Sequence, residues 1–118
     1  MKLLLVSQDL MIGSRVEGAA RQHGLSTVTV GNQATAIEAA GDEACCVVLI
    51  DLRLPGLDIA AFVEAVRSHR ESALPMVACG PHVHEASLAA AREAGCDAVV
   101  TRGQLDRDAT HILGSLLV

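Results

Sequence analysis

Apolar residues along this chain fall into two kinds of run. Short runs without alternation, at residues 2–7 (KLLLVS), 46–51 (CVVLID), 75–79 (PMVAC) and 97–101 (DAVVT), have the length of strands buried on both faces of a parallel sheet. The run at 26–30 (STVTV) alternates Thr with Val, which suits an edge strand. Between these runs, apolar positions recur with helical spacing. Met11, Val16, Ala19, Ala20 and His23 mark a first helix ended by Gly24, and 33–40 form a short Ala-rich second. Ile59, Phe62, Val63 and Val66 mark a third, and residues 86–94 a fourth stopped by Gly95. Leu105, Ala109, Ile112, Leu113, Leu116 and Leu117 mark a fifth. Five strands alternating with five helices predict an α/β, doubly wound fold with helices on both faces of a parallel sheet. No repeat, linker or low-complexity stretch interrupts the pattern, so residues 1–118 read as a single domain.

Composition narrows the function. Hydrophobic residues make up 51% of the 118, yet Phe62 is the one Phe and there is no Tyr or Trp. The core is therefore aliphatic, and aromatic stacking on nucleic-acid bases is excluded. Nine Lys and Arg against 14 Asp and Glu leave a net charge of −5, with no basic cluster, which argues against nucleic-acid binding by this domain. The apolar runs are too short to span a membrane, and the first is too short for a signal peptide. Cys45, Cys46, Cys79 and Cys96 form no C-x-x-C pair, and adjacent Cys45 and Cys46 would bridge only through a strained ring. They read as reduced thiols of a cytoplasmic protein.

Two stretches carry candidate chemistry. In 46-CVVLIDLRLPGLD-58 a buried strand ends in a carboxylate, Asp51, and Leu54-Pro55-Gly56 then turns the chain into a loop. In open parallel sheets ligands and chemistry collect at that end of the strands, so Asp51 reads as a site residue rather than a loop acid or helix cap. The second stretch, 79-CGPHVH-84, offers Cys79, His82 and His84 after the fourth strand, as metal ligands or a Cys-His nucleophile. The plainer reading is an exposed loop with incidental histidines. His23, His69 and His111 fall in or just after helices and read as surface or packing residues.

Five β-α units with an acid closing the third strand before L-P-G-x-D resemble the CheY-like receiver domain of bacterial response regulators. The resemblance covers the whole chain, and 49-LIDLRLPGLD-58 is its most specific piece. It implies a flavodoxin-like sheet of order 2-1-3-4-5, with the site at the switch between strands one and three. Asp51 matches the phosphoacceptor. The other positions depart from the family. Ser7 and Gln8 stand where an acidic pair would hold a divalent metal, and Gly80 where a Thr or Ser hydroxyl would bond the phosphoryl group. Arg102, followed by Gly103, replaces the Lys-Pro pair, and Val99 replaces the aromatic that turns inward on activation.

Phosphoryl transfer to a carboxylate brings together two anions and needs cations placed beforehand. Mg²⁺ prefers carboxylate and water oxygens, so Ser7 and Gln8 predict weak or absent Mg²⁺ binding; no cofactor or catalytic residue is assigned. Asp9 is a candidate substitute ligand, though its position suits a cap for the first helix. Arg102 keeps the positive charge; either its fork forms a two-bond ion pair with Asp51 that fills the site without phosphate, or the side chain points into solvent. The expectation is a pseudo-receiver: a binding module of a two-component or phosphorelay system, not an enzyme. The alternatives are a receiver still phosphorylated on Asp51 through an unconventional pocket, and a small metal or thiol enzyme using the Cys79–His84 loop. Expected partners are proteins, a histidine kinase or output domain among them. The resemblance implies contact through the face of the fourth helix, fifth strand and fifth helix. Apolar surplus on the fifth helix is available there for a homodimer, unless it serves ordinary core packing.

Overall fold

The computed structural model describes residues 1–70 and 72–117. Strands and helices alternate along it: β1 (Lys2–Val6), α1 (Leu10–Gln22), β2 (Ser26–Val30), α2 (Gln33–Ala40), β3 (Cys45–Asp51), α3 (Ile59–Ser68), β4 (Met76–Gly80), α4 (Glu85–Ala94), β5 (Ala98–Thr101) and α5 (Arg102–Leu116). The strands form one parallel sheet of order β2-β1-β3-β4-β5, the flavodoxin-like order. β2 is an edge strand with Ser26, Val28 and Thr29 exposed, as its alternation predicts.

The apolar runs sort by parity, because successive strand side chains point to opposite faces. Leu3, Leu5, Val47, Leu49, Val77 and Cys79 join α1 and α5 in one core. Leu4, Val6, Val48, Ile50 and Met76 join α2 and α3 in the other. Cys45 and Cys46 are split the same way, and all four cysteines are free thiols.

The helix starts follow local chemistry. Asp9, Asn32 and Asp58 cap α1, α2 and α3 by accepting backbone N–H bonds through their side chains. Gly24 and Gly95 follow α1 and α4 with φ of 73° and 96°, left-handed values that glycine adopts without strain. α5 departs from expectation. It starts at Arg102, straight out of β5, rather than near Leu105. Thr101 and Gln104 form a capping box: the Gln104 N–H donates to Thr101 Oγ1 at 3.1 Å, and the Thr101 N–H to Gln104 Oε1 at 2.8 Å. A kink at Asp108 (φ −129°, ψ 24°) separates this added turn from the rest.

The apolar surplus of α5 does not stand exposed. Leu105, Ala109 and Leu113 are buried, and Ile112, Leu116 and Leu117 pack against the first core. Exposed large apolar side chains lie elsewhere, among them Leu10, Met11 and Val83.

Phe62, fully buried in the second core, is the largest side chain in an otherwise aliphatic interior. Its truncation leaves a cavity that branched neighbours fill poorly. Phe62→Ala is expected to cost about 3–5 kcal/mol, read from the urea unfolding midpoint at constant slope.

Candidate functional site

The register of the sheet sets three polar side chains in a row at its C-terminal edge. Leu5 pairs with Leu49 and Val6 with Ile50, so the next step brings Ser7 beside Asp51, and Asp51 in turn pairs with Cys79. All three close the face covered by α1 and α5. Ser7 is 3% exposed and Asp51 5%, the buried polar residues of the described chain. Ser7 Oγ donates to Asp51 Oδ2 at 2.7 Å and accepts the Asp9 N–H at 3.0 Å. That second bond fixes the orientation of the hydroxyl. The Arg53 N–H donates to Asp51 Oδ1 at 2.9 Å. Both oxygens of the carboxylate are thus engaged by neutral donors. Past Asp51 the chain turns through Leu54-Pro55-Gly56, with Gly56 at φ 75°.

The expected Asp51–Arg102 pair does not form. Arg102 Nη1 donates instead to Asp9 Oδ2 at 3.0 Å, and its Nε lies 3.5 Å from Asp106 Oδ1. Because α5 begins at Arg102, its side chain leaves the first helical turn beside the start of α1, where Asp9 is already fixed. Asp9 Oδ1 accepts from Met11 N at 2.8 Å and Ile12 N at 3.2 Å, so Asp9 is the predicted cap and also the partner of Arg102. The Ile12 N–H bond, with further help from Met11 and Arg102, holds the Asp9 carboxyl below its ordinary range despite partial desolvation. Desolvation pulls the Arg102 pKa down, but the bond and charge of Asp9, then Asp106, leave it raised.

Gln8 is exposed and turned away, its amide donating to the Gly31 carbonyl at 2.9 Å. Gly80 closes β4, and Val99 is half-buried on the β5 face opposite Ala98 and Val100. A cleft of about 270 Å³ opens here, lined by Asp51, Arg53, Cys79, Gly80, His82 and Arg102 among others. The Cys79–His84 loop does not assemble as a metal or thiol centre. His82 and His84 are exposed, whereas Cys79 is 1% exposed. Desolvation, then the charge of Asp51, pushes its thiol up to about 12, so no thiolate nucleophile forms near neutrality. Among the described residues no group of three or more His, Cys, Asp or Glu is placed to hold a metal.

Nor does the donor set fit Mg²⁺. Ser7 directs its proton into Asp51, and Gln8 faces the β2–α2 loop. Both Asp9 oxygens are spent on the helix cap and the guanidinium. A hard cation needing six oxygens in octahedral array finds one uncommitted carboxylate edge at best.

Sheet order and crossovers define the class of fold: this chain is folded like the CheY-like receiver domains of response regulators. The receiver domain of sensor histidine kinase PA1611 from Pseudomonas aeruginosa, crystallised with magnesium in its cleft, superposes with TM-score 0.82 at 20% identity, covering 98% of this chain and 96% of that one. The receiver domain of NtrX from Brucella abortus gives TM-score 0.81 at 22% identity, covering 98% of each chain. No family model matches the sequence. Among curated proteins, the transcriptional activator protein PfeR of Pseudomonas aeruginosa is 38% identical over 76 residues, which are 64% of this chain and 24% of PfeR. The matching region thus spans about a quarter of that relative.

Two outcomes follow from the network. Ser7→Ala removes a donor from a buried carboxylate and is expected to cost on the order of 1–3 kcal/mol in chemical denaturation. An unchanged midpoint would show that the bond contributes nothing. Asp9 has a depressed folded pKa, so its contribution to stability is complete above the unfolded value of 3.8 and lost as pH falls through the lower folded one. Melting temperature should therefore fall below about pH 4, and Asp9→Asn should flatten that fall. Asp42, also depressed through the Ala44 N–H, remains as background in the variant.

Proposed function

We propose that this chain is a signal-transduction receiver module of the two-component type that works by protein–protein contact, without Mg²⁺-dependent phosphorylation. One observation carries the reading: each polar group around Asp51 that phosphoryl transfer would need is committed elsewhere or replaced. Ser7 donates to Asp51, Arg102 is drawn off to Asp9, and Gly80 offers no hydroxyl. The attacking carboxylate would meet a phosphoryl dianion with little charge compensation. Exposed Leu10 and Met11 on α1 and Val83 after β4 supply apolar surface for a protein partner, a histidine kinase or output domain in this reading. In this reading the chain is a single, non-enzymatic, cytoplasmic domain; no described helix is long and apolar enough to cross a membrane.

A second reading keeps Asp51 as a phosphoacceptor. It is favoured by the position of Asp51 on the cleft, with Arg53 and Arg102 on its walls.

Acetyl phosphate separates the two. Under Mg²⁺ conditions that fully modify a standard receiver, no Asp51 adduct of about 80 Da, the mass of one phosphoryl group, is expected by mass spectrometry. An adduct in good yield would establish the second reading. As a control, Ser7→Asp with Gln8→Asp restores two acids beside Asp51, where like charges repel. Mg²⁺ should raise the melting temperature of that variant and leave the parent's unchanged.

A further inference from the structure

Of the five helices, α4 is the one that starts without a side-chain cap. Its N-cap, His84, makes no side-chain hydrogen bond, and Leu88 and Ala91 are its buried residues. Leu88, the first of them, lies over Gly80. A Cβ built at Gly80 would stand 3.6 Å from Leu88 Cδ2 and 3.4 Å from both Cβ and Cδ1 of Leu52. Leu52 directly follows Asp51, and its N–H donates to the Cys79 carbonyl at 2.8 Å. The room that a larger residue at 80 would need is therefore bounded by one leucine from the end of β3 and one from α4.

We infer that Leu52 is a positioning residue: across the gap left by Gly80 it packs toward Leu88 and fixes the start of α4. The inference rests on the reading of the chain as a receiver that no longer switches, and it names what replaces the switch. A hydroxyl at position 80 would respond to a phosphoryl group and leave α4 free to shift. A glycine flanked by two leucines responds to nothing at Asp51 and holds α4 in one place. The outer face of α4, with Glu85, Ala86, Ala89, Ala90 and Glu93 exposed, is then presented to a partner without any signal at the carboxylate.

Amide hydrogen exchange on the full chain tests this. Leu52→Ala should speed exchange of residues 85–92 by about tenfold or more while β1 and α1 keep their protection, because local opening is set by local contacts. Leu52→Met should retain parental protection. In the Leu52→Ala background, Gly80→Ala puts a methyl 3.6 Å from Leu88 and 3.4 Å from the Cβ kept at position 52 and should restore part of the protection; in the parent the same methyl sits at ordinary van der Waals distance and should leave protection unchanged. Unchanged exchange in α4, a uniform change across the domain, or the same effect of Gly80→Ala in both backgrounds would overturn the assignment. The acetyl phosphate assay keeps the two claims apart. Phosphorylation of the parent chain removes the non-switching reading and leaves the measured α4 anchor standing, whereas failed exchange coupling removes the anchor alone.

Discussion

A single ionisable carboxylate sits at the head of a strand whose preceding residues, Val47 to Ile50, are fully buried. That constraint organises the end of the sheet. Burying a charge costs several kcal/mol unless hydrogen bonds replace the lost water. Asp51 receives one from a hydroxyl on the neighbouring strand and one from its own following turn. Neither donor carries charge. The carboxylate is held in place by groups that need no metal and no phosphate.

Magnitudes explain why Arg102 pairs with Asp9 and leaves Asp51 alone. An N-cap carboxylate stabilises its helix by about 1 kcal/mol, whereas an ion pair between partly exposed side chains contributes about 0–1. Arg102 is 27% and Asp9 35% exposed, which puts their bond in the second class. The cap therefore decides where Asp9 stands, and the guanidinium goes to it. The effect of the pair is geometric more than energetic. It ties the first turn of α1 to the first turn of α5 across the mouth of the cleft, where the resemblance to receivers had placed a cation facing the acid.

The fold was legible because its signals are local or periodic: apolar runs of strand length, helical spacing, Asp9 at a helix start, Gly24 and Gly95 at helix ends. The place of Asp51 at the end of β3 was legible because the apolar run stops there and Leu54-Pro55-Gly56 turns the chain. What the sequence did not disclose depended on distance or on a one-turn shift. The start of α5 lies at Arg102 through the Thr101–Gln104 capping box, a T-x-x-Q signal of the sequence itself. That shift re-aimed Arg102 and removed the expected bond to Asp51. Arg70, whose side chain is 6% exposed and donates to the carbonyls of Ala40, Asp42 and Cys45, was invisible for another reason. Nothing in a lone loop arginine announces carbonyls 25 to 30 residues away.

The departures at positions 7, 8, 80 and 102 gain meaning when taken together. A buried polar atom left without a partner carries its desolvation cost uncompensated. Among the described residues, the buried side-chain atoms without a partner are Thr27 Oγ1, Arg70 Nε and Arg102 Nε. Arg102 Nε alone belongs to the site, and Asp106 lies 3.5 Å from it. Ser7 has both a donor and an acceptor, Gln8 has Gly31, and the space over Gly80 is flanked by leucines. At the substituted positions Ser7 and Gln8 are thus hydrogen-bonded within the chain, and Arg102 is held by Asp9 through Nη1 while its Nε makes no hydrogen bond.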